Sequence, residues 1–148
     1  MLQVGDKIPD FTLQDQDGNA VSSSDLIGEP FVIYFYPKDD TPGCTKQACA
    51  FRDSFPRFKG VRVIGISPDS VKSHKKFAEK FSLPFTLLSD EDHKVAEMFG
   101  VWVEKSLYGK KYWGNQRSTF LFDENGVVEA VWEKANPEQN VDEVLRLL

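Results

Sequence analysis

Two apolar runs constrain this chain more than any other feature. Phe31-Val-Ile-Tyr-Phe-Tyr36 is unbroken by polar residues, and Val61-Arg-Val-Ile-Gly-Ile-Ser67 nearly so. Runs of this kind, without polar alternation, mark central strands covered on both faces. The segment between them has a helical repeat: Cys44, Ala48, Phe51 and Phe55 fall at i, i+4, i+7 and i+11. Residues so spaced share one helix face, which should point at the core. Strand, helix and strand form a β-α-β unit, expected to be parallel with a right-handed crossover.

The flanking sequence extends this unit. Phe11-Thr-Leu-Gln and Ala20-Val21 read as two short strands around the Asp17-Gly18 turn signal, an N-terminal β-hairpin. Ser23 or Ser24 is placed to cap a short helical turn that Gly28 ends. Val71, His74, Phe77, Ala78 and Phe81 repeat at helical spacing, Phe85 to Leu88 is a short strand, and Val95 to Phe99 marks another helix. Gly109 to Gly114 reads as a polar, aromatic loop. Ser118 to Phe122 and Val127 to Trp132 flank Asn125-Gly126, a strong hairpin signal. A last helix is expected with Asn136 at its cap, Pro137 at its first position, Gln139 completing a capping box, and Val141, Val144, Leu145 and Leu148 as its apolar stripe. The pattern predicts an α/β, thioredoxin-like three-layer sandwich around a mixed central sheet. With 148 residues, 41% apolar and 13% aromatic, the chain suits a single domain spanning 1–148.

The net charge of −5, with lysines and acids interspersed, argues against a nucleic-acid binder held by backbone electrostatics. No apolar run approaches membrane-spanning length, and Met1 to Pro9 lacks a signal-peptide pattern. A soluble cytoplasmic protein is expected. Two cysteines in a reducing compartment read as redox-active, metal-binding or incidental rather than as a structural disulfide.

Both cysteines, Cys44 and Cys49, lie in Tyr36-Pro-Lys-Asp-Asp-Thr-Pro-Gly-Cys-Thr-Lys-Gln-Ala-Cys-Ala-Phe51. Pro42 fits the first helical position and Thr41 the N-cap. Cys44 then sits in the first turn, where unpaired N–H groups and the helix dipole favour the thiolate, the nucleophilic form. Cys49 is turned about 140° from it, with a Cα separation of about 8.7 Å. A disulfide requires less than about 7 Å, so the pair can close only if the helix unwinds locally. The loop so closed would be very short, which suits redox cycling better than stabilisation.

Two other readings compete. Both thiols could be inert small hydrophobes of the core. A zinc site from Cys44, Cys49, His74 and His93 has the ligand count but not the spacing, because the histidines belong to different predicted elements. A dithiol exchange site of the usual kind would have two residues between its cysteines, and here there are four.

Pro37-Lys-Asp-Asp-Thr41-Pro-Gly-Cys44 resembles the peroxiredoxin active-site pattern of Pro, three residues, Thr, two residues and Cys. Thr45-Lys-Gln-Ala-Cys49-Ala-Phe-Arg-Asp53 is similar to the bacterioferritin comigratory protein group, also called PrxQ. Arg117-Ser-Thr-Phe-Leu-Phe-Asp123 resembles that family's second signature. The likeness runs from Val4-Gly-Asp-Lys-Ile-Pro-Asp-Phe11 to the last helix; Asn115-Gln116 departs from it, where more apolar residues are expected. The resemblance implies a thiol-dependent peroxidase without cofactor or metal. In it, the Cys44 thiolate attacks a peroxide and becomes a sulfenic acid, and Cys49 resolves this to an intramolecular disulfide. Thioredoxin or a glutaredoxin then reduces that disulfide. It further implies that Arg117, the Thr41 hydroxyl and the backbone N–H of Gly43 or Cys44 donate to the departing oxygen, and that Pro37 shields the thiolate. A monomer is expected, since both thiols lie in one chain. A protein disulfide reductase and a binding module with inert cysteines are the competing functions.

Overall fold

The computed structural model describes residues 1–148. Its strands are β1 (Thr12–Asp15), β2 (Ala20–Ser22), β3 (Phe31–Phe35), β4 (Arg62–Ser67), β5 (Thr86–Ser89), β6 (Trp102–Leu107), β7 (Lys110–Asn115), β8 (Ser118–Phe122) and β9 (Val128–Trp132). Its helices are α1 (Pro42–Ser54), α2 (Val71–Phe81), α3 (Lys94–Phe99) and α4 (Asn140–Leu145). Seven strands form one sheet in the order β2-β1-β5-β4-β3-β8-β9. β3, β4 and β5 run parallel, while β1, β8 and β9 join antiparallel to their neighbours. This is the thioredoxin-like mixed sheet, with the β1–β2 hairpin at one edge.

The unbroken apolar character of β3 follows from its place. Phe31, Ile33 and Phe35 enter one core cluster with Val95, Ala96 and Phe99 of α3. Val32 and Tyr34 enter the other, with Cys44, Ala48 and Phe51 of α1, Phe77 of α2 and Val141 and Val144 of α4. Alternate residues of one strand therefore serve two layers. α1, α2 and α4 cover one face and α3 the other. Both parallel crossovers are helical, and the right-handed rule puts α1 and α2 on the same side. No helix is long and apolar enough to cross a membrane.

Three local expectations are corrected. Residues 109–114 are not a loop. Most of them form β7, which pairs with β6 as a separate two-stranded ribbon, Leu107 opposite Lys110. Its two-residue turn has both Tyr108 (φ 51°) and Gly109 (φ 78°) in the left-handed region. That geometry closes a tight hairpin, but tyrosine is a poor marker for it. The short turn after β2 is capped at Ser22, whose N–H donates to Asp25 Oδ2 (2.8 Å), not at Ser23 or Ser24. The last helix begins at Asn140. Asn136 Oδ1 accepts from the N–H groups of Glu138 (2.8 Å) and Gln139 (3.1 Å), and so caps a turn over residues 137–139 that runs directly into α4, with Asn140 N–H donating to Asn136 O (2.9 Å). Gln139 occupies the N-cap of α4 and does not close a capping box.

Candidate active site

β3 ends beneath the first turn of α1, and the loop Tyr36–Thr41 joins them. Pro42 and Gly43 open the helix, with Thr41 at the N-cap in an extended conformation (φ −102°, ψ 156°). The first intrahelical bond runs from Thr45 N–H to Thr41 O (2.8 Å). Cys44 is third in the helix, within the turn whose N–H groups have no intrahelical acceptor. It is 2% exposed, and its stripe partners Ala48 and Phe51 are fully buried. Cys49 is half-buried, and both cysteines are free thiols.

Arg117 reaches this turn from the far side of the chain. Antiparallel pairing of β8 with β3 sets Ser118 opposite Phe35, which carries Arg117 to the end of β3 where the loop departs. Its Nη2 donates to Cys44 Sγ (3.4 Å) and its Nη1 to Gln47 Oε1 (2.7 Å). Gly43 makes room for it: a Cβ there would lie 3.1 Å from Nη2. The backbone of Arg117 is held by Ala135 N–H, which donates to its carbonyl (2.8 Å). Cys44, Arg117 and Thr41 are thus gathered at one end of the sheet. Pro37, half-buried, begins the loop beside them.

The Thr41 side chain departs from the expected cap. Its hydroxyl makes no bond to a helix N–H and donates to Lys38 O (2.8 Å). With the proton so engaged, Oγ1 offers lone pairs. This oxygen is therefore available as an acceptor, where the sequence reading has it as a donor.

Several residues escaped sequence reasoning. Gln47 lies on the stripe side of α1, fully buried, and steers Arg117; its position three residues after Cys44 was the available signal. Lys105 lies on β6, a segment for which the sequence reading made no assignment. Burial holds its ammonium below the ordinary lysine range; Arg117 adds repulsion, and Cys44 sulfur pulls the other way. Tyr34 packs on Phe51 with ring centroids 4.7 Å apart. Burial, and then the negative charges of Cys44 and Asp39, push its hydroxyl well above the ordinary tyrosine value. Asn115 and Gln116, the departures from the expected apolar pattern, replace packing with hydrogen bonds: Asn115 Nδ2 donates to Tyr36 O (3.2 Å) and Gln116 Nε2 to Glu133 O (2.6 Å).

The four residues weighed as zinc ligands are not gathered. His74 is fully buried, its ring nitrogens on Asp39 Oδ2 (2.7 Å) and Leu88 O (2.9 Å). His93 stacks on Trp102 with centroids 4.1 Å apart. Asp39, Asp69 and His74 bring potential ligand atoms within 4.8 Å of one another. Those of Asp39, His74 and Asp69 are occupied by hydrogen bonds within the protein.

This geometry agrees with what the chain is similar to. The AhpC/TSA family profile matches residues 4–131. Peroxiredoxin Bcp of Bacillus subtilis (strain 168) is 48% identical over 149 residues, covering 99% of this chain and 95% of its own length. Chloroplastic peroxiredoxin Q of Sedum lineare is 53% identical over 147 residues, covering 97% of this chain and 76% of its own. Among solved structures, the bacterioferritin comigratory protein of Xanthomonas campestris, studied for its alkyl peroxide reduction activity, superimposes with a TM-score of 0.90 at 38% identity. That match covers 99% of this chain and 95% of the other. A free thiol in a helix's first turn under an arginine, on this fold and in this company, leads to one assignment: the chain belongs to the AhpC/TSA family, among the peroxiredoxins of the Bcp or Q group, and is a thiol-dependent peroxidase.

Proposed function

We propose that Cys44 is the peroxide-reacting thiol and Cys49 its resolving partner. The Cys44 thiolate attacks the terminal oxygen of hydrogen peroxide or an organic hydroperoxide. The S–O bond forms as O–O breaks, and the departing oxygen takes a proton and leaves as water or alcohol. Cys44 is left as a sulfenic acid. Arg117, held by Gln47, donates to the oxygen on which charge develops, a donor in place before the reaction begins. Oγ1 of Thr41 accepts from the peroxide hydroxyl and orients it. Pro37 packs the loop and keeps water from the sulfur.

The sulfur of Cys49 then attacks the sulfenic sulfur, and the hydroxyl leaves as water. Disulfide geometry is incompatible with two cysteines five apart in an intact helix, so α1 unwinds for this step. A dithiol donor such as thioredoxin or a glutaredoxin restores both thiols by exchange and is itself oxidised to a disulfide. The reading includes a monomer working in the cytoplasm, and no cofactor or metal enters any step. The observation that carries it is the 3.4 Å approach of Arg117 Nη2 to Cys44 Sγ in the opening turn of α1.

The test adds one equivalent of hydrogen peroxide to the reduced protein and follows intact mass and free thiols within seconds. The expected result is loss of two hydrogens and both thiols in the wild type, a trapped sulfenic acid in Cys49→Ser and no reaction in Cys44→Ser. Retention of both thiols by the wild type would refute the assignment. Recycling of the oxidised protein by thioredoxin, and a monomer by light scattering, test the remaining parts.

A further inference from the structure

The peroxiredoxin-like pattern leaves the three positions between Pro37 and Thr41 open, yet the structure does not treat them alike. Lys38 and Asp40 are exposed, whereas Asp39 is 7% exposed. Its carboxylate is held from three sides. Oδ1 accepts from the Tyr36 hydroxyl (2.6 Å), while Oδ2 accepts from Ser73 Oγ (2.8 Å) and faces His74 Nδ1 at 2.7 Å. His74 Nε2 faces the carbonyl of Leu88 (2.9 Å). A carbonyl can only accept, so Nε2 carries a proton, and one proton lies between Nδ1 and Oδ2 whichever atom owns it. The ring therefore spans from β5 to the loop, with its orientation fixed at both ends.

The backbone at Asp39 is held as firmly. Its N–H donates to Asp69 Oδ2 (2.8 Å), and that oxygen also takes the Ser67 hydroxyl (2.6 Å). The carbonyl of the same peptide unit belongs to Lys38 and accepts from the Thr41 hydroxyl (2.8 Å). Asp39 thus joins the buried network, through its side chain, to Thr41, through its own peptide plane, whose N–H is fixed by Asp69 and whose oxygen sets where the threonine hydroxyl points. Asp40 follows at φ 56°, a left-handed conformation that aspartate tolerates better than most residues. The turn it makes delivers Thr41 to the N-cap of α1.

We propose that Asp39 is a positioning residue of the peroxidase site, with His74 as its anchor. Through the Lys38–Asp39 peptide it holds Thr41, and with it the opening turn of α1, in the geometry that receives the peroxide. This extends the proposed roles of Cys44 and Thr41 and rests on them. Asp39 touches neither the sulfur nor the peroxide. Its effect is on alignment, where a displacement of about 1 Å can cost about 100-fold in rate.

The test uses Asp39→Ala, Asp39→Asn and Ser73→Ala in the full chain, with circular dichroism and a thermal melt to establish folding at the assay temperature. Two rate constants are read for Cys44: loss of the thiol to hydrogen peroxide, and alkylation by iodoacetamide, which needs a thiolate but not an aligned peroxide. Asp39→Ala should lower the peroxide rate constant by about 10- to 100-fold and leave alkylation close to wild type. Asp39→Asn should recover most of the loss, because its amide can donate to His74 Nδ1 and its oxygen can accept from Tyr36. A folded Asp39→Ala protein with wild-type peroxide reactivity would overturn the proposal. So would equal loss of both rates, or an Asp39→Asn defect as deep as that of alanine. If Asp39→Ala does not fold, Ser73→Ala decides: it removes one donor from a half-buried site, and an unchanged peroxide rate would reject the idea. Should hydrogen peroxide fail to consume Cys44 in the wild type, the assignment of that thiol falls instead.

Discussion

Arg117 and Cys44 are 73 residues apart in sequence, and Nη2 of the one lies 3.4 Å from Sγ of the other. The same guanidinium gives Nη1 to Gln47, so one planar group reads two positions of α1 a turn apart. The planar fork holds both acceptors in one fixed geometry, which the rotating donors of an ammonium do not. Arg117→Lys should therefore lower the rate constant with hydrogen peroxide by roughly 100-fold, measured by stopped flow, with the melting temperature little changed. A lysine variant as fast as wild type would show that charge alone suffices.

Gly43 lies under that fork. A methyl group there would stand 3.1 Å from Nη2, close enough to push the guanidinium aside by a few tenths of an ångström. Alanine is also the better helix former, by up to about 1 kcal/mol in a helix interior and by less in a first turn. Gly43→Ala is expected to leave urea stability unchanged or higher while slowing the peroxide reaction several-fold. Loss of stability together with activity would mean that the fork is not what the missing side chain accommodates.

The proposed unwinding of α1 has its own signature. The helix is fastened at its far end by Arg52 Nη1, which donates to Phe81 O (2.8 Å), and along its length by Ala48 and Phe51. Hydrogen exchange read by mass spectrometry should show amides of residues 45–50, the first of them bonded to Thr41 O, protected in the reduced protein and fast in the oxidised one. Peptides from β3 and β4 should exchange equally slowly in both. Protection retained across α1 after oxidation would exclude closure of the disulfide within this helix.

Lys105 supplies a pH dependence whose sign is fixed. Its folded-state pKa is depressed, first by burial and then by Arg117, so between that value and the unfolded one the unfolded chain binds more protons. Stability contributed at this position must then rise with pH through that window. In Lys105→Met the term is absent. Denaturant titrations from neutral pH to about 10.5 should show the wild type gaining on the variant as pH rises, and a gap that narrows would contradict the assignment.

Much of this was legible in the sequence, for reasons that differ by element. The β3–α1–β4 unit declared itself because β3 serves two layers and can carry no polar face. Cys44 was found from helix-start chemistry, since proline and threonine fix where the first turn lies. Arg117 needed the family signature, because nothing local says that β8 pairs with β3. Asp39 and His74 were out of reach for the same reason: their meeting depends on α2 packing beside the loop. The ribbon β6–β7 was missed because few of its residues are buried, so it lacks the one-sided apolar pattern by which strands are recognised.

The division of β3 between two cores bears on speed. The unwinding proposed for α1 falls in the layer containing α1, α2 and α4. The layer beneath α3 keeps the strands in register, so the segment re-forms against a template already standing. A helix of this length relaxes in about 0.1–1 μs, fast against the steps of thiol exchange. On the proposed cycle, turnover is limited by how often the helix comes loose and by delivery of electrons, not by the time it takes to wind again. Substitutions that tighten α1 against its layer should slow resolution and leave Cys44 longer as sulfenic acid, exposed to a second peroxide. On the proposed cycle, packing density in one layer sets how much oxidant the enzyme withstands before it is inactivated.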